Sequence, residues 1–205
     1  FKQKTAYEIG VRLVGSEMCI RDRAMTQEAI KPEIQRDRTV AEDLRTAMQQ
    51  LAASVSVVAT RSGDERGGLT MTAVCSVSLD PPTILICVNR ASSSHDLITD
   101  AECFSVNILN ENQRLIAEVF AGQTGITDWD GKFEAGDADW TDSEAGAPIL
   151  KEARANVICR TRETVVSGSH TIFFGDVVEV LTHDHDDGHA LLYSQGDYRG
   201  VSDLN

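Results

Sequence analysis

The alternation of apolar and polar positions divides the chain into one helical stretch followed by a series of short, strand-like runs. Thr39-Val-Ala-Glu42 carries a capping-box signature, and behind it Val40, Leu44, Ala47, Met48 and Leu51 recur at helical spacing. That spacing predicts an amphipathic helix ending near Ala53. From residue 54 the pattern changes to β-branched runs. SVSVVAT covers 54–60 and LTMTAVCSVSL covers 69–79, with a Gly- and charge-rich turn at 61–68 between them. TILICVN at 83–89 follows Asp80-Pro81-Pro82, and ECFSVNIL occupies 102–109. Asn110 to Gln113 is a second cap, opening a helix through Phe120 that Gly122 closes. Residues 123–150 show no period and are rich in Gly and Asp, with Trp129 and Trp140 among them. ANVICRTRETVV (155–166) and HTIFFGDVVEVL (170–181) flank Ser167-Gly168-Ser169, a tight hairpin signal, and HALLYS (189–194) is a last strand.

Strands joined mainly by turns, with only two or three helices among them, predict a mainly β fold with added helices: a closed antiparallel barrel. A doubly wound sheet would need a helix after nearly every strand, and these hairpins leave no room for one. At 205 residues the chain suits a single domain. The opening FKQKTAYEIGVRLVGSEMCIRDR has neither period nor cap and resembles a translated sequencing adapter. Residues 1–24 are therefore expected to be a leader of non-native origin, with Met25 the natural start. Residues 25–38, polar and carrying Pro32, read as a flexible arm, and 39–205 as the domain.

Composition narrows the classes. A net charge of −13 argues against nucleic acid, whose binding needs a basic face. The apolar share of 41% is that of an ordinary globule, and no run approaches the ~20 apolar residues of a membrane span. Cys19, Cys75, Cys87, Cys103 and Cys159 are scattered singly, four of them inside apolar β-like runs where small buried hydrophobes belong. This usage fits a reducing, cytoplasmic setting.

Candidate chemistry concentrates at residues 90–95. Ser92, Ser93 or Ser94 can cap a short helix, leaving hydroxyls and first-turn amides directed at one spot, with Arg90 and His95 beside them. Such a corner attracts phosphate, although a plain capped helix after a surface turn fits the same residues. His183-x-His185-x-Asp187-Gly188-His189 invites a metal reading. It departs by one inserted residue from the H-x-H-x-D-H pattern of metallohydrolases and sits in a run of acids, so a solvated loop is expected and no metal site.

GLTMTAVCSVSLDPP (68–82) followed by CVNRASSSH (87–95) resembles the flavin reductase-like domain, the split-barrel FMN-binding family of two-component flavin-dependent monooxygenase systems. FSVNIL at 104–109, VFAG at 119–122, KF at 132–133, GAPIL at 146–150, GSHTIFFGDV at 168–177 and Y-x-x-G-x-Y at 193–198 follow in the family's order. The resemblance spans residues 44–200 and implies a split antiparallel Greek-key barrel, paired as a homodimer. It further implies an NAD(P)H-dependent flavin reductase that reduces FMN, or FAD, by hydride transfer from NADH or NADPH and supplies a partner monooxygenase. A non-catalytic flavin-binding electron carrier of the same fold is the alternative.

Carried onto this chain, the resemblance sets Thr70, Met71, Thr72, Ala73 and Val74 along the isoalloxazine, largely through backbone groups. Ser92, Ser93, Ser94 and His95 would hold the phosphate, and Phe120, Ala121 and Gly122 would close over the ring or ribityl edge. His170, in Gly168-Ser169-His170, would serve the nicotinamide side; the family's commoner Asp is here Ser169.

Overall fold

The computed structural model of the chain describes residues 32–183 and 189–201. The first helix, α1 (Pro32–Met48), begins at Pro32 rather than at the capping box. Proline is tolerated there because a first-turn amide has no helical partner. Val40 and Leu44 are exposed on it, as is Leu51 just beyond. Their spacing marks a helix, but an apolar stripe does not specify the surface that will cover it.

The strands that follow are β1 (Ala53–Ser54), β2 (Ser56–Ser62), β3 (Glu65–Met71), β4 (Val74–Leu79) and β5 (Pro82–Asn89). Then come α2 (His95–Asp100), β6 (Cys103–Ile108), α3 (Arg114–Phe120), α4 (Trp129–Glu134), β7 (Trp140–Asp142) and β8 (Pro148–Leu150). The long hairpin β9 (Ala155–Ser167) and β10 (His170–Thr182) precedes β11 (Leu192–Ser194) and β12 (Asp197–Arg199). Seven strands form one antiparallel sheet in the order β3-β2-β6-β9-β10-β5-β4.

The run at 69–79, expected as one strand, divides at Thr72-Ala73. β3 pairs with β2 and β4 with β5, so the two halves become opposite edges of the same sheet. The period is continuous through the bend and could not reveal it. No ladder joins β3 to β4 among the described residues, so ladder pairing leaves the sheet open where a closed barrel was expected.

β2 shows why part of this sheet reads as unbroken apolar sequence. Val57 enters a cluster with Leu109, Phe120, Leu150 and Tyr198. Its neighbour Val58 points the other way, into a cluster with Leu69, Ile86, Phe104 and Phe173. Both faces of the strand are covered, which removes the polar half of the alternation. On β10, Gly175 is required by packing: a Cβ built there would lie 2.7 Å from both Cys159 Cβ and Phe104 Cζ.

The local signals at turns hold. Asn110 and Gln113 form the expected capping box, with Asn112 N donating to Asn110 Oδ1 at 2.9 Å and Asn110 N to Gln113 Oε1 at 3.0 Å. It opens a short 3-10 turn that runs on into α3. Gly168 turns the β9–β10 hairpin with φ +58, a left-handed conformation natural to glycine. The stretch at 123–150 is more ordered than its sequence suggests, holding α4 and the β7–β8 ladder. Its organiser is tertiary: Trp140 packs 5.5 Å from Phe120 and 4.9 Å from Phe133, ring centre to ring centre.

Cys87, Cys103 and Cys159 are buried, as expected, and form no disulfide among the described residues, whereas Cys75 is exposed because β4 presents a face to solvent. Cys19 lies outside the described residues. So do residues 184–188, the middle of the histidine-rich motif. His183 at one end bonds through Nε2 to Asn156 Oδ1 at 3.0 Å. Among the described residues no helix is long and apolar enough to cross a membrane.

Candidate active site

A cleft of about 350 Å³ runs along the outer edge of β3, under the corner between β5 and α2. The end of α3, Lys132 of α4 and the tyrosines of β11 and β12 complete its walls. β3 is paired on one side only, so a row of its backbone NH and CO groups is left for a ligand rather than a neighbouring strand. Gly68, Leu69, Thr70, Met71 and Thr72 line the cleft. Thr70 spends its hydroxyl on Ala117 O at 2.7 Å, which ties β3 to α3 and leaves the backbone as its contribution. Ala73 and Val74 do not line the cleft. Ala73 is buried at the bend, its carbonyl accepting from Cys87 N at 3.2 Å, and Val74 packs against the second core cluster.

All three serines of the corner line the cleft. Ser94 stands at the N-cap of α2 but makes no side-chain cap bond, contrary to expectation. Its hydroxyl is buried and donates instead to Gly68 O at 2.7 Å, a bond that satisfies two buried groups and pins the corner to β3. Ser92 Oγ accepts from Ser94 N at 3.3 Å. His95 is not part of the lining. Its Nε2 meets Thr171 Oγ1 at 2.9 Å, its Nδ1 meets Asp96 Oδ1 at 3.1 Å, and its ring lies edge-on to Phe173. Arg90 is exposed. Phe120, Ala121 and Gly122 line the cleft as expected. Gly68 lets Phe120 and β2 come close, since a Cβ there would sit 2.7 Å from Val58 O and 3.2 Å from Phe120 Cε1.

His170 opens β10 directly across from Asn89, and Asn89 is itself a wall of the cleft. His170 is not among the lining residues. Its Nδ1 lies 2.9 Å from Ser169 Oγ, while its Nε2 is buried and has no hydrogen-bond partner among the described residues. Burial holds the imidazole below its ordinary value of 6.5, in the neutral form. A buried nitrogen lacking a partner beside a cleft wall is the kind of group a ligand satisfies.

Sequence reasoning left five polar lining residues without a role: Asn89, Gln123, Lys132, Tyr193 and Tyr198. Asn89, Lys132, Tyr193 and Tyr198 all lie inside the family's motifs, and only the fold brings them to one place. Tyr193 and Tyr198 meet edge to face at 5.2 Å. Burial, then Tyr193 and Glu118, push the Tyr198 phenol up to about 12 against the opposing Arg114, so it stays protonated as a donor. Burial lowers the Lys132 ammonium, partly offset by Asp128. Among the described residues the lining contains no carboxylate and one cation, in a chain whose net charge is −13. Such a cleft suits a large, flat, anionic ligand with neutral hydrogen-bonding edges.

A family model described as the flavin reductase like domain matches residues 48–202. The chain is 37% identical over 163 residues to an FMN reductase (NADH) RutF of Stutzerimonas stutzeri, covering 80% of this chain and 90% of that one. Among solved structures it is similar to the NADH:FAD oxidoreductase SgcE6 of Streptomyces globisporus, with a TM-score of 0.68 and 31% identity over 85% of this chain and 96% of that one. That protein has also been solved in complex with NAD and FAD fragments. BorF, the flavin reductase component of a bacterial two-component tryptophan halogenase, superposes with a TM-score of 0.69 at 31% identity, covering 78% and 98% of the two chains.

Proposed function

The chain belongs to the flavin reductase-like domain family, and we propose that it is an NADH:FMN oxidoreductase that passes reduced flavin to a partner flavin-dependent monooxygenase. The observation that carries this reading is the cleft itself: an unpaired strand edge and a hydroxyl-rich corner share one cavity that, among the described residues, holds a cation and no acid. The backbone of Thr70, Met71 and Thr72 offers neutral donors and acceptors to the ring edge, leaving the flavin's charge state undisturbed. Ser92 and Ser93 serve the phosphate, while Ser94 positions the corner through Gly68. Phe120, Ala121 and Gly122 close over the ring system.

Hydride passes from nicotinamide C4 to flavin N5, so the reaction needs alignment and no nucleophile. His170 takes the nicotinamide side, its Nε2 finding in the nucleotide the partner it otherwise lacks. Ser169 takes the place of a histidine-orienting carboxylate: its hydroxyl meets Nδ1 without adding charge. His95 supports the corner through Thr171 rather than touching the phosphate.

Several finer features belong to the same reading. The sheet, whose edge strands β3 and β4 are joined by two residues, is the split Greek-key barrel of this family. Two such barrels pair as a homodimer that covers the exposed Val77 and Leu79 of β4 and Val165 and Val166 of β9. Cysteines that form no disulfide among the described residues suit the reducing cytoplasm. NADH is taken as the donor, as the names of the RutF relatives and SgcE6 have it, with NADPH the alternative donor and FAD the alternative acceptor.

Steady-state oxidation of NADH with and without excess free FMN tests the function. Turnover that depends on added FMN is expected. A single stoichiometric reduction of bound flavin, with no further turnover, would identify an electron carrier instead.

A further inference from the structure

We propose that Arg114 is a positioning residue for flavin binding: it fixes the β11–β12 hairpin against α3 and so holds Tyr193 and Tyr198 in the cleft wall beside the isoalloxazine. The proposal rests on the flavin reading above and goes beyond it by giving the ring end of the cleft a support that lies outside the cleft. Arg114 is not itself a lining residue, whereas both tyrosines are.

The two tyrosines stand at the end of the cleft remote from the serine corner. The corner is tied to Gly68 through the Ser94 hydroxyl. Three residues further along β3, a step of about 10 Å in a strand, Met71 pairs with Ser56. Val55, just before Ser56, donates its amide to Leu191 O at 2.9 Å. Tyr193 follows on β11, opposite Ala53 of β1. Tyr198 faces it across the hairpin, ring edge to ring face. With the phosphate at the serines and the ring along Thr70–Thr72, the hairpin flanks the ring.

Little besides Arg114 ties this hairpin to the helix. β12 is three residues long and, among the described residues, pairs only with β11. Arg114 opens α3, whose last residue, Phe120, lines the same cleft. Its guanidinium is engaged on three sides. Nε donates to Glu118 Oε1 at 2.8 Å, one turn along α3; Nη2 donates to Asp197 Oδ1 at 3.2 Å and Nη1 to Tyr198 O at 3.4 Å. The same Asp197 oxygen accepts from Tyr198 N at 2.8 Å, and Arg114 Cζ lies 5.7 Å from the centre of the Tyr198 ring. Both backbone groups of Tyr198 are therefore held by one side chain, the carbonyl directly and the amide through Asp197. An isolated exposed ion pair contributes little, but a rigid planar fork shared by two carboxylates, a carbonyl and a ring is a network whose members fix one another. Burial and Asp197 raise the Tyr193 phenol above its ordinary value, so it meets the ring as a neutral donor.

FMN and riboflavin are titrated, by flavin emission, into the full chain and into Arg114→Met, Asp197→Asn, Tyr193→Phe and the double variant Arg114→Met/Tyr193→Phe, with a melting temperature for each. Asp197→Asn removes one partner of the guanidinium and keeps an oxygen for the Tyr198 amide, so it carries the test if Arg114→Met folds poorly. A phenol held against an isoalloxazine quenches its emission. The expected result for Arg114→Met is a loss of affinity of about threefold to tenfold, equal for FMN and riboflavin, with brighter emission from the bound flavin. In the Tyr193→Phe background the same replacement should brighten the flavin much less. Unaltered affinity and emission in Arg114→Met and Asp197→Asn overturn the proposal, even where the melting temperature falls, and leave Arg114 a purely structural residue. A loss confined to FMN also overturns it, because the arginine would then act on the phosphate through its charge. Failure of the unaltered protein to bind either flavin is a separate result, which sinks the flavin reading itself.

Discussion

Replacing Asn107 by Ala removes the centre of a buried polar network that holds the short strand β8 against β6 and β9. Asn107 is fully buried. Its Nδ2 donates to Val57 O and to Ser105 Oγ, both at 2.9 Å. Its Oδ1 accepts from Leu150 N at 2.9 Å and from Asn156 Nδ2 at 2.7 Å. Around it Ser105 Oγ donates to Pro148 O, and Asn156 Nδ2 to Leu150 O at 3.0 Å. A net hydrogen bond contributes about 0.5–1.5 kcal/mol, and a buried donor left unpaired costs about 1–3 kcal/mol. Four bonds are lost, and the Leu150 amide loses its side-chain acceptor inside a packed core. Rearrangement of Ser105 and Asn156 recovers part of this, so the net loss is about 3–5 kcal/mol. For a domain of this size that lowers the melting temperature by roughly 6–20 °C. Circular dichroism melts and urea titrations of the wild type, Asn107→Ala, Asn156→Ala and the double variant measure it. Because the two asparagines share a bond, the double variant should lose less than the sum of the singles. A loss below about 1 kcal/mol for Asn107→Ala, or strict additivity, would refute the network as the element holding β8.

Four further outcomes follow from the geometry. Joint replacement of Ser92 and Ser93 by Ala should weaken FMN binding by tenfold or more while sparing riboflavin, because bonds to a charged group contribute ~1.5–3 kcal/mol each; equal loss for both flavins in equilibrium titration would leave the serines only a structural part. His170→Ala should raise KM for NADH or slow flavin reduction by a few-fold to ~100-fold with flavin affinity unchanged, and stopped-flow traces identical to wild type would return it to an ordinary hairpin residue. The same imidazole is held below 6.5 by burial, so as pH falls through 6.5 the unfolded chain takes up a proton that the native one refuses. Stability should drop from 6.5 down through the lower native value, and His170→Asn should flatten that part of a urea-midpoint profile against pH. Gly175→Ala forces a Cβ to 2.7 Å from Cys159 Cβ and Phe104 Cζ, and a thermal melt should show a loss of about 1–3 kcal/mol.

What the sequence revealed and what it hid divide along physical lines. Features fixed within a few residues were legible: the Asn110–Gln113 box, the Gly168 hairpin and the paired long strands around it. So was the use of residues 70–72, 92–94 and 120–122 around one cleft, because motif order carried it. The break of residues 69–79 into two edge strands was hidden, since alternation continues through the bend at Thr72-Ala73. The role of Asn107 was hidden as well; its place in FSVNIL gives no hint that Val57, Leu150 and Asn156, from three other segments, converge on it together with Ser105 of its own strand. Ser94 looked like a helix cap because its strongest partner, Gly68 O, lies far away in the chain. Lys132 sat in a stretch without any period, and only the placement of α4 brings it into the cleft wall.

The central claim is that this cleft brings NADH and FMN together for direct hydride transfer. Anaerobic mixing of the FMN-loaded protein with NADH in a stopped-flow cell tests it most directly. Oxidised-flavin absorbance should disappear far faster than in the same mixture without protein, and more slowly when the transferred nicotinamide hydrogen is deuterium. Absorbance that persists as long as in the protein-free mixture would contradict the account.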